Sequence, residues 1–478
     1  MQIPKHIGPF HIIGIGGIGM SAIAEILLDL GYAVQGSDGK DSANVRRLRN
    51  RGVRVFLGHA PINLIGAQYV VISSAIKADN PELVAARERR LPVVKRADML
   101  AELMRLRSTV SVTGTHGKTT TTSLIAHVFD SAELDPTVIT GGIVNSWGTN
   151  ARLGKGDWMI VEADESDATF IRLPTQIGVI TNIDPEHLDY FGTVENMEAA
   201  YRTFYTSIPF YGVAVTCIDH PVVRRMLKEC AHDMSCKVLT YGLDEDADLR
   251  LVNLRPDATG TRFDLEIGKR VSGGARVVTG LHMPVPGEHN ALNAASALAV
   301  AAEVGIADAD VRAAIATFSG VKRRFTPTGV WNDIAFYDDY AHHPVELAAV
   351  LKAARSTSQG RVIGIFQPHR YSRLGSLFAD FCQSFQDADV VIVTPIYSAG
   401  EKPVAGLDHH AVAEGIRAAG HAEVHVIDVE EDMVQLVRAT ARSGDLVIGL
   451  GAGTITDWSH ALPELLAGRQ RKVAGGAH

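Results

Sequence analysis

The segment Ser111-Val112-Thr113-Gly114-Thr115-His116-Gly117-Lys118-Thr119-Thr120-Thr121-Thr122 holds residue types that bind a polyphosphate. It follows the apolar run 109–112 and precedes a helix-like stretch, 123–130. A strand, a glycine loop and a helix in that order turn backbone N–H groups and the positive end of the helix dipole toward an anion, and Lys118 adds a full charge. Thr119 stands where a hydroxyl reaches a phosphate-bound Mg²⁺, and Gly114, Thr115, His116, Gly117 and Thr120 complete the expected nucleotide cradle. The match to the usual phosphate-loop pattern is imperfect, since the glycine expected five before Gly117 is Val112.

Acidic residues Glu162-Ala163-Asp164-Glu165-Ser166-Asp167 follow the apolar run 158–161. At the end of a buried strand beside a phosphate loop they suit holding Mg²⁺ against the phosphates; a solvated acidic turn is the alternative. His187 follows another buried run, 177–181, among Asp184, Glu186 and Asp189. That position fits a metal or phosphate ligand and equally a structural histidine. Asn290 and Asn293, three apart at the start of an alanine-rich helix, share one helix face. They could read an adenine edge, or Asn290 could cap the helix.

A second glycine loop, Gly14-Ile15-Gly16-Gly17-Ile18-Gly19, follows the run 10–13 and opens a helix. It reads a diphosphate and does not by itself tell a dinucleotide from a UDP-sugar. Ser37 and Asp38 end the next strand, with Asp38 placed for a ribose hydroxyl, and Ser73 and Ser74 end another at the ligand-binding edge of the sheet. Two phosphate loops need two phosphorylated ligands. Beyond residue 338, polar clusters again follow apolar runs: Asp338–Pro344 and Gln367–Arg373. Arg370 and Arg373 suit a substrate carboxylate, because guanidinium forks bind carboxylates in bidentate fashion; a salt-bridged surface turn is the bland alternative.

These loops require α/β domains with largely parallel sheets. We expect three: residues 1–107, Rossmann-like; 108–322, a phosphate-loop domain with extra β structure near 249–286; and 323–478, again Rossmann-like, entered through the basic hinge Lys322-Arg323-Arg324-Phe325. A net charge of −8 argues mildly against nucleic acid as a partner. No run of 18 apolar residues predicts a membrane span, and no signal peptide is expected. Four cysteines without a C-x-x-C pair point to free thiols in the cytoplasm. The tail 468–478 is expected to be loose.

Taken together, the glycine loop 14–20, Gly114–Thr121, Glu162–Asp167, Gly287–Asn293, Asp338–Pro344 and Gln367–Arg373, in this order and over nearly the whole length, resemble the Mur ligases. The resemblance implies a three-domain ATP-dependent amide ligase with UDP-N-acetylmuramate, L-alanine, ATP and two Mg²⁺ ions as ligands, acting as a monomer or homodimer. It implies that Lys118 contacts the phosphates, that Thr119 and Glu162 hold one Mg²⁺ and that His187 serves a second. By the same resemblance Asn290 and Asn293 contact adenine, Arg324 a phosphate and Asp339 the ribose, while His342, His369, Arg370 and Arg373 line the amino-acid and acyl-phosphate side. Several peptide-extending relatives carry a carbamylated lysine fourteen residues after the metal histidine; here that position is Tyr201, so no carbamate is expected and the first, alanine-adding step is favoured. The nearest rival readings are a ligase that recycles whole peptides onto the same UDP-sugar and a folylpolyglutamate synthase, and the latter leaves the first glycine loop without a diphosphate to bind. A dehydrogenase leaves the second phosphate loop unexplained, and a non-catalytic nucleotide switch leaves the histidines and arginines after residue 338 unexplained.

Overall fold

The computed structural model describes residues 7–468 apart from Ser74, Asp167, Ala258 and the side chain of Asp189. The expectations for Ser74, for Asp167 and for the tail after Gly468 therefore lie outside the described residues. Three sheets carry the chain, as the alternating apolar runs and helical stretches require.

The first sheet comprises β1 (Phe10–Ile13), β2 (Val34–Asp38), β3 (Arg54–Leu57), β4 (Tyr69–Ile72) and β5 (Val93–Lys95). Its order is β3-β2-β1-β4-β5, with every pair parallel. The order reverses between β1 and β4, so the glycine loop after β1 and Ser73 after β4 flank the crevice at the switch point.

The second sheet contains β6 (Ser108–Thr113), β7 (Thr137–Val144), β8 (Thr149–Arg152), β9 (Trp158–Glu162), β10 (Ile177–Ile180), β11 (Val213–Cys217), β12 (Lys237–Gly242), β13 (Leu249–Asp257), β14 (Gly260–Ile267) and β15 (Arg276–Met283). Its order is β15-β14-β13-β12-β11-β10-β6-β9-β7-β8. β6 lies between β10 and β9, parallel to both. The loops after β6, β9 and β10 therefore leave the same edge side by side. β7 runs through Gly141 and Gly142 to Val144, and the polar strand β8 pairs with it antiparallel across a register shift.

The third sheet contains β16 (Thr326–Trp331), β17 (Ile334–Asp339), β18 (Val362–Phe366), β19 (Val390–Val393), β20 (Val424–Val426) and β21 (Leu446–Leu450), in the order β16-β17-β21-β18-β19-β20. Only β16 is antiparallel to its neighbour. Along β18, Val362 and Phe366 enter one core while Ile363 and Ile365 enter the other, so both faces are covered. That burial explains why the strand reads as a continuous apolar run.

Two compact units divide the chain. One holds residues up to Val252 with Asp264–Leu281 and Leu292–Ser319; the other holds Asn253–Phe263, His282–Ala291 and the chain from Gly320. Among the described residues no helix is long and apolar enough to cross a membrane, and the four cysteines are free.

Candidate functional site

In the first unit the phosphate loop joins β6 to the helix Lys118–Ser131. Gly114 has φ +126, and a Cβ there would lie 2.2 Å from Thr181 Oγ1, so only glycine fits. Gly117 enters the helix at φ +81, with Asn293 Oδ1 3.1 Å from where its Cβ would be. The segment after β10 braces the loop: His116 N donates to Asn182 Oδ1 at 2.7 Å, and Thr181 Oγ1 donates to His116 O at 2.6 Å. Threonine is a mediocre helix former, yet Thr119–Thr122 are helical because this helix is buried through almost all of its length. The N–H groups of its first turn have no partner within the helix and open an anion site.

Lys118 Nζ donates to Gly114 O at 2.7 Å, Thr115 O at 3.0 Å and Glu165 Oε1 at 2.7 Å. Thr119 Oγ1 donates to Glu162 Oε1 at 3.0 Å, and Thr140 Oγ1 and Gly141 N donate to Glu162 Oε2 at 3.1 and 2.5 Å. Glu162 is thus fixed beside the threonine that follows the lysine. His187, at φ +55 just before the short helix Leu188–Phe191, brings Nε2 to 3.6 Å from Glu165 Oε1 and 4.0 Å from Glu186 Oε2. Glu165, Glu186 and His187 place one ligand atom each within 4.8 Å of one another. Glu165 is 2% exposed, and among the described residues its Oε2 has no hydrogen-bond partner. Burial pushes its carboxyl up, an effect that Lys118 partly offsets. Burial also opposes the charge on Lys118, but Glu165 prevails and holds the ammonium more firmly protonated. A buried carboxylate with one oxygen unpartnered among the described residues, grouped with an imidazole and a second carboxylate, is a donor set that fits a hard divalent cation. Tyr201, the position of the missing lysine, is fully buried in the helix Val194–Ser207.

At the first glycine loop, Gly14 N and Ile15 N donate to Ser37 O at 2.8 and 3.0 Å, and Gly16 N donates to Asp38 Oδ2 at 2.8 Å. A Cβ on Gly16 would stand 2.7 Å from Val45 Cγ2, while Gly17 caps the helix Ile18–Asp29. Arg96 lies against this loop, its Nη1 3.1 Å from where a Cβ on Gly19 would be, and its Nη2 is 3.6 Å from Asp164 Oδ2. Ser37 Oγ donates to Glu82 Oε2 at 2.5 Å and lies 2.9 Å from His59 Nδ1. Glu82 also accepts from His11 Nε2 at 3.1 Å, Asn63 Nδ2 at 2.6 Å and Ala60 N at 3.2 Å.

In the second unit, Asp339 closes β17 and accepts from Phe325 N and Ala341 N, both at 2.7 Å. Burial raises it to about 6 against the pull of Arg324. Arg323 and Arg324 lie over the Tyr340 ring, with Arg324 Nη1 4.0 Å from Glu346. Asn290 Nδ2 donates to Pro286 O at 2.7 Å from the first turn of the helix Glu288–Val304. His342 points Nδ1 at Tyr340 O, 3.0 Å away, and so carries its proton there. His369 Nδ1 accepts from Arg373 Nη1 at 3.1 Å, and its ring stacks on Tyr397 at 5.5 Å and 11°. Burial, then Arg373 and His342, lower His369 to about 4, so at neutral pH it is an uncharged ring with its proton on Nε2. The helix that follows β18 starts at Tyr371, with Arg370 just before it at φ +67. Helical spacing therefore does not align the two arginines: Arg370 Nε donates to Glu401 Oε1 at 2.6 Å, while Arg373 turns to His369.

From the sequence, Glu165 entered only within the acidic run Glu162–Asp167 and Glu186 only as a neighbour of His187, and Arg96, Glu82 and Glu401 were missed as organisers. Only Glu401 carried a signal, as an acidic residue after a strand end.

A phosphate loop flanked by a strand-end acid and a strand-end histidine, in a chain with its own diphosphate-type glycine loop, defines a nucleotide-dependent enzyme of the ligating kind. Family profiles described as "Mur ligase family, catalytic domain", "Mur ligase middle domain" and "Mur ligase, glutamate ligase domain" match residues 9–108, 112–301 and 323–453. The chain belongs to the Mur ligase family. It is 55% identical to the UDP-N-acetylmuramate–L-alanine ligase of Bradyrhizobium diazoefficiens over 463 residues, covering 97% of this chain and 98% of that one. Identity is also 55% to the enzyme of the same name from Methylorubrum populi, over 98% and 99% of the two chains. The crystal structure of UDP-N-acetylmuramate–alanine ligase from Thermotoga maritima superposes with a TM-score of 0.79 at 27% identity, covering 96% and 99% of the chains.

Proposed function

We infer that this chain joins L-alanine to UDP-N-acetylmuramate in an amide bond, with ATP converted to ADP and phosphate, in peptidoglycan precursor synthesis. A carboxylate resists attack by an amine because an oxide would have to leave. Transfer of the γ-phosphoryl group to the muramoyl carboxylate supplies a leaving group, and the alanine amine then attacks the acyl carbon. The observation that carries the reading is the junction of β6, β9 and β10: three adjacent parallel strands deliver the phosphate loop, Glu162 with Glu165, and His187 to one edge.

In this reading residues 1–107 hold the UDP-sugar, 108–322 the ATP and 323–478 the amino acid. Such phosphoryl transfer depends mainly on positioning and charge neutralisation. Lys118 faces the transferring phosphates, Thr119 and Glu162 hold one Mg²⁺, and His187 serves a second; the ions would neutralise phosphate charge. Asn293, against Gly117, meets the nucleotide with Asn290, Arg324 and Asp339. Gly16, Gly17, Gly19, Ser37, Asp38 and Ser73 take the UDP-sugar. His342, His369, Arg370 and Arg373 orient alanine; the neutral Nε2–H of His369 donates to an oxygen, and the arginines favour the α-carboxylate. The reading places the enzyme in the cytoplasm, as a monomer or homodimer.

The test is the product mass after incubation with ATP, Mg²⁺, UDP-N-acetylmuramate and L-alanine. Phosphate release that needs both the UDP-sugar and the amino acid supports the reading, and release with neither refutes it. Titration should show tight binding of the UDP-sugar and none of NAD.

A further inference from the structure

Lys118 and His187 converge on one oxygen, Glu165 Oε1, at 2.7 and 3.6 Å, while the other oxygen of that carboxylate is buried with no hydrogen-bond partner among the described residues. A buried carboxylate half used in this way is costly unless something completes it. Among the described residues Glu186 and His187 form with Glu165 a set of three possible cation ligands, one atom each within 4.8 Å of one another. An ammonium and a divalent cation cannot both sit against one small carboxylate without strong mutual repulsion. We propose that Glu165 is an exchange ligand: it docks Lys118 while no metal is present, and it turns to a divalent cation held with Glu186 and His187, which releases Lys118 toward the phosphates.

The exchange rests on the phosphoryl-transfer reading of this loop and adds an order of events. Cation arrival charges the site and at the same step unlocks the lysine from Gly114 O, Thr115 O and Glu165. A phosphate loop without metal keeps its lysine folded back on its own backbone, and its first helical turn is left to attract the anion alone.

The experiment titrates the full-length, nucleotide-free protein with Mn²⁺ and reads free Mn²⁺ by electron paramagnetic resonance. Lys118→Met removes the competing ammonium and keeps the side-chain bulk, so it should tighten Mn²⁺ binding by at least about tenfold, whereas a lysine that only serves phosphate would leave it unchanged. Adding Glu165→Gln to that variant should abolish the gain, a coupling between neighbours that independent roles would not produce. With ¹⁵N-labelled histidine, Mn²⁺ bound to Lys118→Met should show a nitrogen coupling that His187→Asn removes. Affinity in Lys118→Met equal to or below the native value overturns the proposal, as does a gain that survives Glu165→Gln. If the double variant does not fold, the histidine coupling decides, and its absence overturns the proposal. Calorimetric titration of the native protein with ATP and Mg²⁺ keeps the two readings apart: no ATP binding refutes the functional reading, and ATP binding with no Mn²⁺ gain refutes only the exchange.

Discussion

Glu82 is a fully buried carboxylate on which the ligand edge of the first sheet is built, and Glu82→Gln should unlock that edge. Its two oxygens receive four donors, from His11, Ser37, Asn63 and the Ala60 backbone. The donors have little freedom to rearrange. Gln35 Nε2 donates to Asn63 O at 2.9 Å and Ile65 O at 3.3 Å, so its amide faces His11 Nδ1 as a donor and leaves the His11 proton on Nε2. Asn63 Nδ2 also donates to Gly58 O at 3.2 Å. A glutamine amide placed either way round thus points N–H at a fixed N–H. Burial alone would raise Glu82, but these bonds prevail and lower it from 4.5 to about 2. A folded-state value below the unfolded one means stability that is present above about pH 4.5 and lost as pH falls toward 2. The shift corresponds to about 3 kcal/mol at neutral pH.

Amide hydrogen exchange read by mass spectrometry across β1 and β2 is the assay, because it reports this unit without requiring the whole chain to unfold in one step. Amides that exchange through opening of this network should speed up by about a hundredfold in Glu82→Gln at pH 7. The native and variant rates should converge as pH approaches 2, where the native carboxyl is protonated and resembles the amide. A change under about threefold at pH 7, or a difference that persists unchanged into acid, refutes the reasoning. Because Ser37 rests on Glu82, the KM for the UDP-sugar should rise while that for alanine holds.

Lys118→Ala should lower turnover by at least about a hundredfold in protein shown by circular dichroism to be folded; near-normal turnover would remove Lys118 from the phosphate site. Arg373→Lys keeps the charge and loses the planar fork, so the KM for alanine should rise far more than those for ATP and the UDP-sugar, and the reverse pattern would assign Arg373 to the nucleotide. Glu401→Gln loosens Arg370 and Ser372 together and should also raise the KM for alanine; an unchanged value would make the Glu401 contacts merely structural. ¹⁵N spectra should show His369 neutral, with its proton on Nε2, from pH 8 down to about 5, and Arg373→Met should raise its titration toward the ordinary histidine range.

The phosphate loop was legible because its constraints are local and steric. Gly114 and Gly117 sit at positive φ at the two ends of a four-residue step from strand to helix, and a reader of spacing meets both at once. The buried parallel strands were legible for a similar reason, since two covered faces leave an uninterrupted apolar run. β8 was not, because Thr149-Asn150-Ala151-Arg152 is a strand only by virtue of its antiparallel partner. The acidic run Glu162–Glu165 announced itself as a group, but its directions are tertiary: Glu162 turns to Thr119 and Thr140, Asp164 to Arg96, and Glu165 to Lys118. Glu82 carried no signal, as it lies on a helix and two of its partners, His11 and Ser37, lie 71 and 45 residues away on β1 and β2.

Those tertiary directions carry a consequence for how one loop serves two ligands. Asp164 and Glu165 are adjacent, yet one faces the arginine beside the first glycine loop and the other the lysine of the phosphate loop. Ser166 N donates to Asp164 Oδ1 at 2.9 Å, which ties the turn of backbone to the first carboxylate. A diphosphate drawn to Arg96 competes with Asp164 for that guanidinium, and the backbone that carries Asp164 also carries Glu165. If the first glycine loop holds the sugar nucleotide and Lys118 is released as proposed, the two events would be linked through Asp164, Glu165 and Ser166, just after β9. The linkage predicts that Asp164→Asn weakens the effect of the UDP-sugar on ATP affinity while leaving ATP affinity in its absence nearly unchanged. Equal loss of ATP affinity with and without the UDP-sugar would show that Asp164 serves the nucleotide directly, and the linkage would fall.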